Sequence, residues 1–346
     1  MSWNEGQVLQ IPVSDAEDDT RLDRWMKRRF PGLTQGQVEK LLRSGQIRVD
    51  GARAKSNTRL MAGQQIRVPP IKIDSDKIAP RKGDKSKPMH VSAADSEFIR
   101  SLVIHEDDEC IIINKPPGLA VQGGTGTSRH VDGMSAALVG AGEEKPRLVH
   151  RLDKDTSGVL VLAKTAPSAA SLAKLFRSRE LDKIYWAIVL GVPHPREGQI
   201  RGWMIKSAGP GGDMEKMRYA KHGEKGAAFS ITDYAVVQNV AQRAAWVALK
   251  PLSGRKHQLR LHMSELGHGI MGDWKYECDR ETPNGVGSGL HLHARALRLP
   301  RKHGRSVEVV APMYEHMIKT FDVLGFNEKD VSDPFESVPE MSKKKH

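Results

Sequence analysis

The sequence predicts an α+β protein in which a small αβ domain precedes a larger domain with many strands and few helices. Near the N-terminus, two apolar stripes at helical spacing are followed by two short strand patterns. A charged, proline-containing segment without apolar periodicity comes next and is typical of a linker. Beyond it, apolar runs of strand length outnumber helical stripes, and 38% of the 346 residues are hydrophobic, which is sufficient for a sizeable core.

These changes in composition divide the chain into five predicted segments. The first segment is polar and acidic and the last is charged and poor in apolar residues, so neither is expected to pack. We predict a flexible arm over residues 1–17, a small basic domain over 18–75, a linker over 76–97, a large domain over 98–326 and a disordered tail over 327–346.

The small domain is predicted to contain two helices and a pair of strands. Thr20 is placed to cap the first helix, and Thr34 forms a capping box with Gln37 at the start of the second. Gly45 is suited to end the second helix, because glycine adopts the left-handed conformation of a helix terminus without steric cost. Strands are expected over 46–49 and 64–68.

The large domain is predicted mainly from short apolar runs and period-two alternation. We expect strands over 110–113, 158–163, 183–190, 228–238, 244–250 and 306–310, and helices over 166–179 and 255–266. The segment 204–226 is basic and glycine-rich, which makes it a candidate loop for contacting a polyanionic substrate.

Positive charge is concentrated in the small domain. The chain has 54 lysines and arginines against 42 carboxylates, and eleven of these cations lie between Thr20 and Arg59 with only three carboxylates. A solvated surface usually mixes both signs, so this excess indicates phosphate binding, with nucleic acid favoured over an anionic membrane. The alternative is a generally basic protein. The candidate RNA-binding residues are Arg21, Arg24, Lys27, Arg28, Lys40, Arg43 and Arg48.

Several other classes of protein are disfavoured by the composition. The two cysteines, Cys110 and Cys278, are too few and too far apart for a disulfide framework or a zinc cluster. Neither a secretory leader nor a run of about 18 apolar residues is present, which indicates a cytoplasmic protein. No glycine-rich nucleotide motif and no close histidine–cysteine spacing occurs, so we expect neither a cofactor nor a metal.

The most informative stretch is HRLDKDTSGVLVLAK, from His150 to Lys164. Polar groups crowd a turn before an apolar strand, and Asp153 lies in sequence beside Arg151, Lys154 and Lys164. Nearby positive charge favours the ionised form of a carboxyl group, which is the form a carboxylate nucleophile needs. For an aspartate in an ordinary turn, the alternative is a structural hydrogen-bonding role.

Two further residues are candidates for an active site. Tyr185 lies in an alternating strand pattern, where a tyrosine commonly belongs to the core, although an aromatic ring can also hold an extruded pyrimidine by stacking. Arg260 lies off the main apolar stripe of the helix predicted over 255–266. An arginine fork can hold a carboxylate in one orientation, and the alternative is a solvent-facing helix arginine.

Four motifs together resemble those of the RluA-type pseudouridine synthases. They are HRLDKDTSG, INKPPGLAVQGG from Ile113 to Gly124, the K-x-Y-x-A pattern around Tyr185, and GRKHQLRLH around Arg260. The sequence departs from the family at Gln122, where many members carry histidine. Residues 18–75 resemble the S4 RNA-binding domain, and the S4-like domain with its linker is most similar to the RluC-type members that act on large-subunit ribosomal RNA.

This resemblance implies a fold, an activity and a set of site residues. The fold would be a mixed, mostly antiparallel sheet with flanking helices and a central cleft, preceded by the small S4-like αβ domain. The activity would be isomerisation of uridine to pseudouridine in 23S ribosomal RNA by a monomer without a cofactor. Asp153 would be the nucleophile, Tyr185 would pack against the base, Arg260 would pair with Asp153, and Arg151 would enter the space vacated by the base.

Alternatives remain open at the level of the sequence. The substrate could be tRNA, or the protein could be a catalytically silent RNA-binding factor in ribosome assembly. A hydrolase such as an N-glycosidase, using Asp153 and Asp155, is a further alternative, but two carboxylates so close on one turn could hardly flank a sugar from opposite sides. The sequence also leaves open whether Asp153 attacks C1′ of the sugar or C6 of the base.

Overall fold

A computed structural model describes residues 7–71, 91–124, 127–140, 142–178, 181–208, 215–276, 278–301, 304–330 and Phe335. The chain divides into two compact units, Met1–Pro88 and Met89–His346, which are considered separately below. In the described part of the chain, no helix is long and apolar enough to cross a lipid bilayer.

The N-terminal unit packs two helices against a four-stranded antiparallel sheet. Its elements are β1 (Leu9–Pro12), α1 (Leu22–Arg29), α2 (Gln35–Arg43), β2 (Arg48–Val49), β3 (Ala52–Arg53) and β4 (Gln65–Val68). The strand order is β1-β4-β2-β3. Trp25 and Met26 of α1, Val38 of α2 and Ile66 of β4 are fully buried and meet in one apolar core. The helical stripes seen in the sequence are therefore the faces that form this core.

The predicted ends of the two helices are partly confirmed. The Thr34–Gln37 capping box is present, and Gly45 follows α2 with a φ of 71°. The prediction for Thr20 was wrong, because α1 begins one residue later with Arg21 as its N-cap. The carbonyl of Thr20 accepts a hydrogen bond from the N–H of Leu60, so extended backbone pairing continues up to the start of the helix.

The described parts of the three segments predicted to be unstructured are ordered. Residues 9–12 form β1 against β4, since Leu9 and Ile11 alternate toward the core. Of the linker, residues 72–90 lie outside the described residues, and the predicted end at 97 was wrong because a helix capped by Ser92 already begins at Ala93. In the tail, Glu328 pairs with Arg295, and apart from Phe335 the residues from 331 onward lie outside the described part.

The C-terminal unit contains eleven described strands and five described α-helices. The strands are β5 (Val103–Glu106), β6 (Cys110–Lys115), β7 (Arg147–Leu148), β8 (Ser157–Ala163), β9 (Asp182–Leu190), β10 (Glu197–Ala208), β11 (Glu215–Tyr219), β12 (Ala228–Val240), β13 (Ala244–Pro251), β14 (Leu292–Leu299) and β15 (Val307–Val310). The helices are α3 (Ala93–Ser101), α4 (Val131–Met134), α5 (Ala166–Arg177), α6 (Gln258–Glu265) and α7 (Glu315–Leu324).

These strands form one mixed sheet in the order β11-β10-β12-β13-β9-β14-β8-β6-β5, with β15 added to β14 and β7 added to β8. The β14–β8 pair is parallel and the other described pairs are antiparallel. The predicted α+β fold, a mostly antiparallel mixed sheet with flanking helices, is therefore confirmed.

The two faces of the sheet are covered by different helices. Along β9, Ala187 and Val189 pack in one apolar cluster with Leu259 and Met263 of α6. The alternate residues Trp186 and Ile188 pack in a second cluster that includes Phe321 of α7. Since side chains alternate across a strand, α6 and α7 lie on opposite faces, and Tyr185 shares the face of α6.

Candidate active site

A short loop between β7 and β8 carries Asp153. At its start, the imidazole of His150 stacks on Phe176 with ring centroids 3.9 Å apart, and its Nε2 accepts a 2.8 Å hydrogen bond from the N–H of Val161. At its end, the N–H of Thr156 donates to the carbonyl of Asp153 at 3.2 Å. The loop is therefore fixed on both sides of the aspartate.

Lys115, at the end of β6, ties this loop to the preceding motif. Its ammonium group is fully buried and donates to the carbonyls of Pro116, Leu119 and Lys154 at 2.8, 2.9 and 2.9 Å. Burial lowers the pKa of Lys115 to about 7, although the charges of Asp155 and Asp153 oppose this shift. We did not single out Lys115 from the sequence, because its acceptors are backbone carbonyls that no residue pattern reveals.

The four residues predicted for the active site line one cleft. Arg151 and Asp153 come from the loop, Tyr185 from β9 and Arg260 from α6, and the cleft holds about 170 Å³. The rest of its lining consists of Leu152, Thr156, Pro251, Ser253, Gly254, Arg255, Lys256, His257, Gln258, Leu259 and Leu292. Gln122, the position that departs from the family motif, lines a different cavity. The predicted central cleft is therefore present and contains the nucleophile candidate.

Tyr185 presents its ring from the middle of the sheet. It pairs with Leu249 of β13 on one side and with Ala294 of β14 on the other. Burial and the charge of Asp153 raise the pKa of Tyr185 well above its usual value, so the hydroxyl keeps its proton. A rigid, neutral ring on the wall of a cleft is suited to stacking against a base.

Arg260 makes its ion pair with Asp273 and not with Asp153. Its Nε and Nη2 atoms donate to the two carboxylate oxygens of Asp273 at 2.7 and 2.5 Å, and both side chains are buried. Asp273 also accepts the backbone N–H groups of Lys275 and Tyr276. The predicted direct pairing of Arg260 with Asp153 is therefore replaced by a bidentate pair, and the alternative of a solvent-facing arginine is wrong.

Three residues near Asp153 form a hydrogen-bond network that we did not predict from the sequence. The main-chain N–H of His257 acts to lower the pKa of Asp153, and the Nε2 atom of His257 lies 3.9 Å from Oδ1 of Asp153. On the other side of the ring, Nδ1 lies 3.0 Å from the hydroxyl oxygen of Tyr276. That oxygen accepts a 2.7 Å hydrogen bond from the N–H of Met217 in β11.

The electrostatic setting of Asp153 differs from the one we predicted. Burial raises the pKa of Asp153, outweighing Arg260, Arg151, the N–H of His257 and the charge of Lys115, all of which act to lower it. The predicted neighbour Lys164 pairs with Glu106 at 2.8 Å. We predicted that neighbouring cations keep Asp153 ionised, and this stays a prediction, because loss of solvation opposes the attraction of the cations. A poorly solvated carboxylate retains more of its nucleophilic character.

In the small unit, most of the candidate RNA-binding cations are exposed. Arg24, Lys27, Arg28, Lys40 and Arg43 project from α1 and α2 into solvent. Arg21 instead pairs with Asp23, and Arg48 donates to the backbone carbonyls of Gly45 and Gly51. These two arginines therefore have structural partners, and an RNA-binding role for the seven candidates stays a prediction.

The buried histidines hold the sheet and its flanking segments together. His262 bonds to Ser230, His268 to the carbonyl of Leu190, His291 to Thr320, and His293 to Ser157. Burial lowers the pKa of each of these four imidazoles, which favours the neutral form needed for such hydrogen bonds.

Comparisons with known proteins agree with this geometry. The family described as RNA pseudouridylate synthase matches residues 109–265, and the S4 domain matches residues 20–66. RNA pseudouridine synthase 4, mitochondrial, of Arabidopsis thaliana is 36% identical over 298 residues, which cover 77% of this chain and 62% of that protein. Ribosomal large subunit pseudouridine synthase C of Rickettsia bellii is 33% identical over 85% of this chain and 94% of that protein.

A solved structure is also similar. Human RNA Pseudouridylate Synthase Domain Containing 4 superposes with a TM-score of 0.55 at 29% sequence identity. The match covers 67% of this chain and 97% of the human chain. The Rickettsia protein is similar over nearly its whole length, so its likeness is not confined to the four sequence motifs.

Proposed function

Because the chain belongs to the RNA pseudouridylate synthase family, we propose that it isomerises specific uridines of large-subunit ribosomal RNA and that Asp153 is its nucleophile. The observation that carries this proposal is the convergence of Asp153, Tyr185 and Arg260 in one cleft, although they come from a loop, a strand and a helix.

The reaction needs few chemical groups. The N1–C1′ bond of uridine breaks, the base turns, a C5–C1′ bond forms, the hydrogen at C5 leaves as a proton, and N1 takes up a proton. Asp153 supplies the nucleophile or stabilises the intermediate, and the walls of the cleft retain the freed base. The overall change is an isomerisation, so no oxidant, reductant or hydrolytic water is consumed.

The other cleft residues have roles that follow from their positions. The target base must leave its stack, which costs a few kcal/mol. The neutral ring of Tyr185 can stack on the extruded base, and the exposed guanidinium of Arg151 can occupy the space that the base leaves. Arg260, fixed by Asp273, places positive charge near Asp153 and the sugar.

Two observations favour large-subunit ribosomal RNA over tRNA as the substrate. The S4 domain with its exposed cations supplies a second RNA-binding unit, suited to a large structured RNA. In addition, the name of the Rickettsia relative specifies the large ribosomal subunit. We further propose that the protein acts as a cytoplasmic monomer.

Tritium release tests the activity, the nucleophile and the substrate together. Ribosomal RNA, ribosomal subunits and tRNA, each labelled with 5-tritiated uridine, would be incubated with the wild type and with Asp153→Ala. Because C5 loses its hydrogen, we expect release from ribosomal RNA with the wild type and none with the variant. Asp322→Ala, which removes an exposed carboxylate on α7 at the opposite face of the sheet, is the matched control and should be fully active.

Each alternative function predicts a different result in this experiment. A silent assembly factor would bind RNA without releasing tritium, and an N-glycosidase would yield free uracil, which chromatography of the product detects. Release from tRNA alone would overturn the substrate assignment, and release by Asp153→Ala would overturn the nucleophile.

A further inference from the structure

We propose that His257 is a positioning residue for Asp153: its imidazole, oriented by Tyr276, presents an Nε2–H group to the carboxylate and aligns it for attack. This inference rests on the proposed role of Asp153 as nucleophile. It concerns a network that couples the catalytic loop to α6, to the Asp273–Tyr276 turn and to the hairpin strand β11.

The position of the proton on His257 follows from its partners. A backbone N–H can only donate, so the 2.7 Å contact between Met217 and Tyr276 makes the tyrosine oxygen an acceptor. We assign the hydroxyl proton of Tyr276 to its hydrogen bond with Nδ1 of His257, 3.0 Å away. An imidazole that accepts at Nδ1 and is neutral carries its proton on Nε2, the nitrogen that faces Asp153.

The surroundings keep His257 neutral. Its residue surface is only 5% exposed, and Arg260, Lys275 and Arg151 all act on the ring. Burial, followed by these charges, lowers the pKa of His257 to about 3. Burial also raises the pKa of Tyr276 to about 12, so the hydroxyl retains the proton that fixes the tautomer.

The backbone conformation of His257 places its imidazole beside Asp153. Its φ of 51° is in the left-handed region, immediately before α6, and its main-chain N–H acts to lower the pKa of Asp153. The Nε2–Oδ1 distance of 3.9 Å is longer than a hydrogen bond. Catalytic hydrogen bonds are often long without substrate and shorten in the complex, and a small movement of the cleft walls closes this one.

Other charged or titratable groups also face Asp153 and define the background for a test. They are Arg151 in the same loop, Lys115 of β6, Tyr185 of β9 and Arg260 of α6. Arg260 is already held by Asp273 through two hydrogen bonds. The imidazole of His257 stands beside these groups, with its Nε2 atom 3.9 Å from Oδ1 of Asp153.

Two substitutions distinguish the roles of the two nitrogens of the His257 ring. In His257→Asn, the amide occupies the region of Nδ1 and can still accept from Tyr276, but no donor reaches Asp153. In His257→Gln, the longer amide places an N–H group near the former Nε2. Single-turnover tritium release would be followed as a function of pH for both variants, with melting temperature and RNA affinity as controls for folding and binding.

We expect His257→Asn to lower the single-turnover rate about tenfold, the effect of losing one hydrogen bond to a charged group. The acid limb of its pH profile should move upward by about one unit, because an N–H directed at a carboxylate favours the ionised form. His257→Gln should recover most of the wild-type rate and return the acid limb of the pH profile to its wild-type position.

Two results would overturn the proposal. The first is a reduced rate with an unchanged acid limb and no recovery in His257→Gln, which would mean that His257 has only a structural role. The second is an unchanged rate in His257→Asn. Should both variants unfold, Tyr276→Phe provides the same test, since it keeps the ring but frees the His257 tautomer. An inactive wild type would instead contradict the proposed function, so the two failures are distinguishable.

Discussion

At Asp153, burial outweighs the surrounding cations, so the folded state holds the carboxyl proton more tightly than the unfolded chain does. Stability from such a group is present at low pH and is lost as pH rises through the raised folded pKa. At neutral pH the ionised side chain therefore opposes folding. The carboxylate that we propose as the nucleophile therefore lowers the stability of the folded protein when it is ionised.

Asp153→Asn should accordingly abolish tritium release and raise the melting temperature at neutral pH. A gain of about 1 kcal/mol would correspond to roughly 2–4 °C for a domain of this size. The gain should shrink as the pH falls toward the range in which the wild-type carboxyl is protonated. Calorimetry at neutral and acidic pH checks this, with Asp322→Asn as the surface control; a melting temperature lowered at neutral pH would contradict it.

The side chain of Lys115 contributes to stability through its hydrogen bonds, although burial disfavours its charged form. Its ammonium group satisfies three carbonyls that lie beside the nucleophile loop. We expect Lys115→Met to destabilise the protein by about 3 kcal/mol, because buried carbonyls lose their donor, and to slow catalysis by loosening the loop. Urea unfolding measures the first effect and single-turnover tritium release the second. A variant with full stability would show that water replaces the ammonium group.

Among the secondary-structure elements, those with regular apolar periodicity were predicted well. The strands expected at 110–113, 158–163 and 183–190 correspond to β6, β8 and β9, and the helix at 166–179 corresponds to α5. The helix expected from 255 begins only at Gln258, because His257 adopts a left-handed conformation. Periodicity cannot reveal a single residue that leaves the helical region.

One element that we missed, β10, lacks a one-sided apolar pattern. β10 is twelve residues long, yet it contains Gly198 and Gly202, and it leaves Trp203 55% exposed, so its alternation is weak. Gly202 is required there because a side chain at this position would collide with the ring of Tyr219 on β11. Contacts between strands, which a local pattern does not contain, therefore determine this hairpin.

The residues of the candidate site also divide into those that the sequence predicts and those that it does not. Asp153, Tyr185 and Arg260 lie in motifs whose residue order is informative by itself. The partners Asp273 and Tyr276 lie in a turn more than ten residues after α6 begins, and only the tertiary structure brings them back to the cleft. Sequence reasoning thus identified the cleft residues that are proposed to act on substrate and missed those that orient them.

The Arg260–Asp273 ion pair joins α6 to the following turn, and its contribution to stability can be predicted. Asp273→Ala leaves a buried guanidinium uncompensated and should cost about 3–5 kcal/mol. The exposed pair of Arg298 and Glu308 is the matched control, and Glu308→Ala should cost less than about 1 kcal/mol. Urea unfolding of both variants measures the loss in free energy of unfolding. Equal losses would mean that burial does not determine how much an ion pair contributes to stability.

Across the whole molecule, the proposed chemistry and the basic surface of the S4 domain lie in separate compact units. The exposed cations of α1 and α2 are predicted to bind RNA, whereas Asp153 and its neighbours lie in the C-terminal unit. Binding and chemistry should therefore respond to different substitutions.

The double variant Arg24→Ala with Arg28→Ala should weaken RNA binding and leave the single-turnover rate at saturating RNA unchanged. For each phosphate that the variant no longer neutralises, the slope of log affinity against log salt should fall by about 0.7–0.9. Arg305→Ala with Lys319→Ala removes the same charge from exposed positions of the C-terminal unit and is the control. Equal salt slopes for the two double variants would argue against RNA binding by the S4 domain.

The hydrogen bond from Met217 to Tyr276 has a consequence for how this site can be observed. β11 ends the strand order of the large sheet, and amides on such an edge ordinarily exchange with solvent deuterium within a short time. The Met217 amide is instead engaged by the tyrosine that orients His257. Deuterium uptake at this single peptide group therefore records, in the intact protein and without any substrate, whether the groups around the nucleophile are assembled.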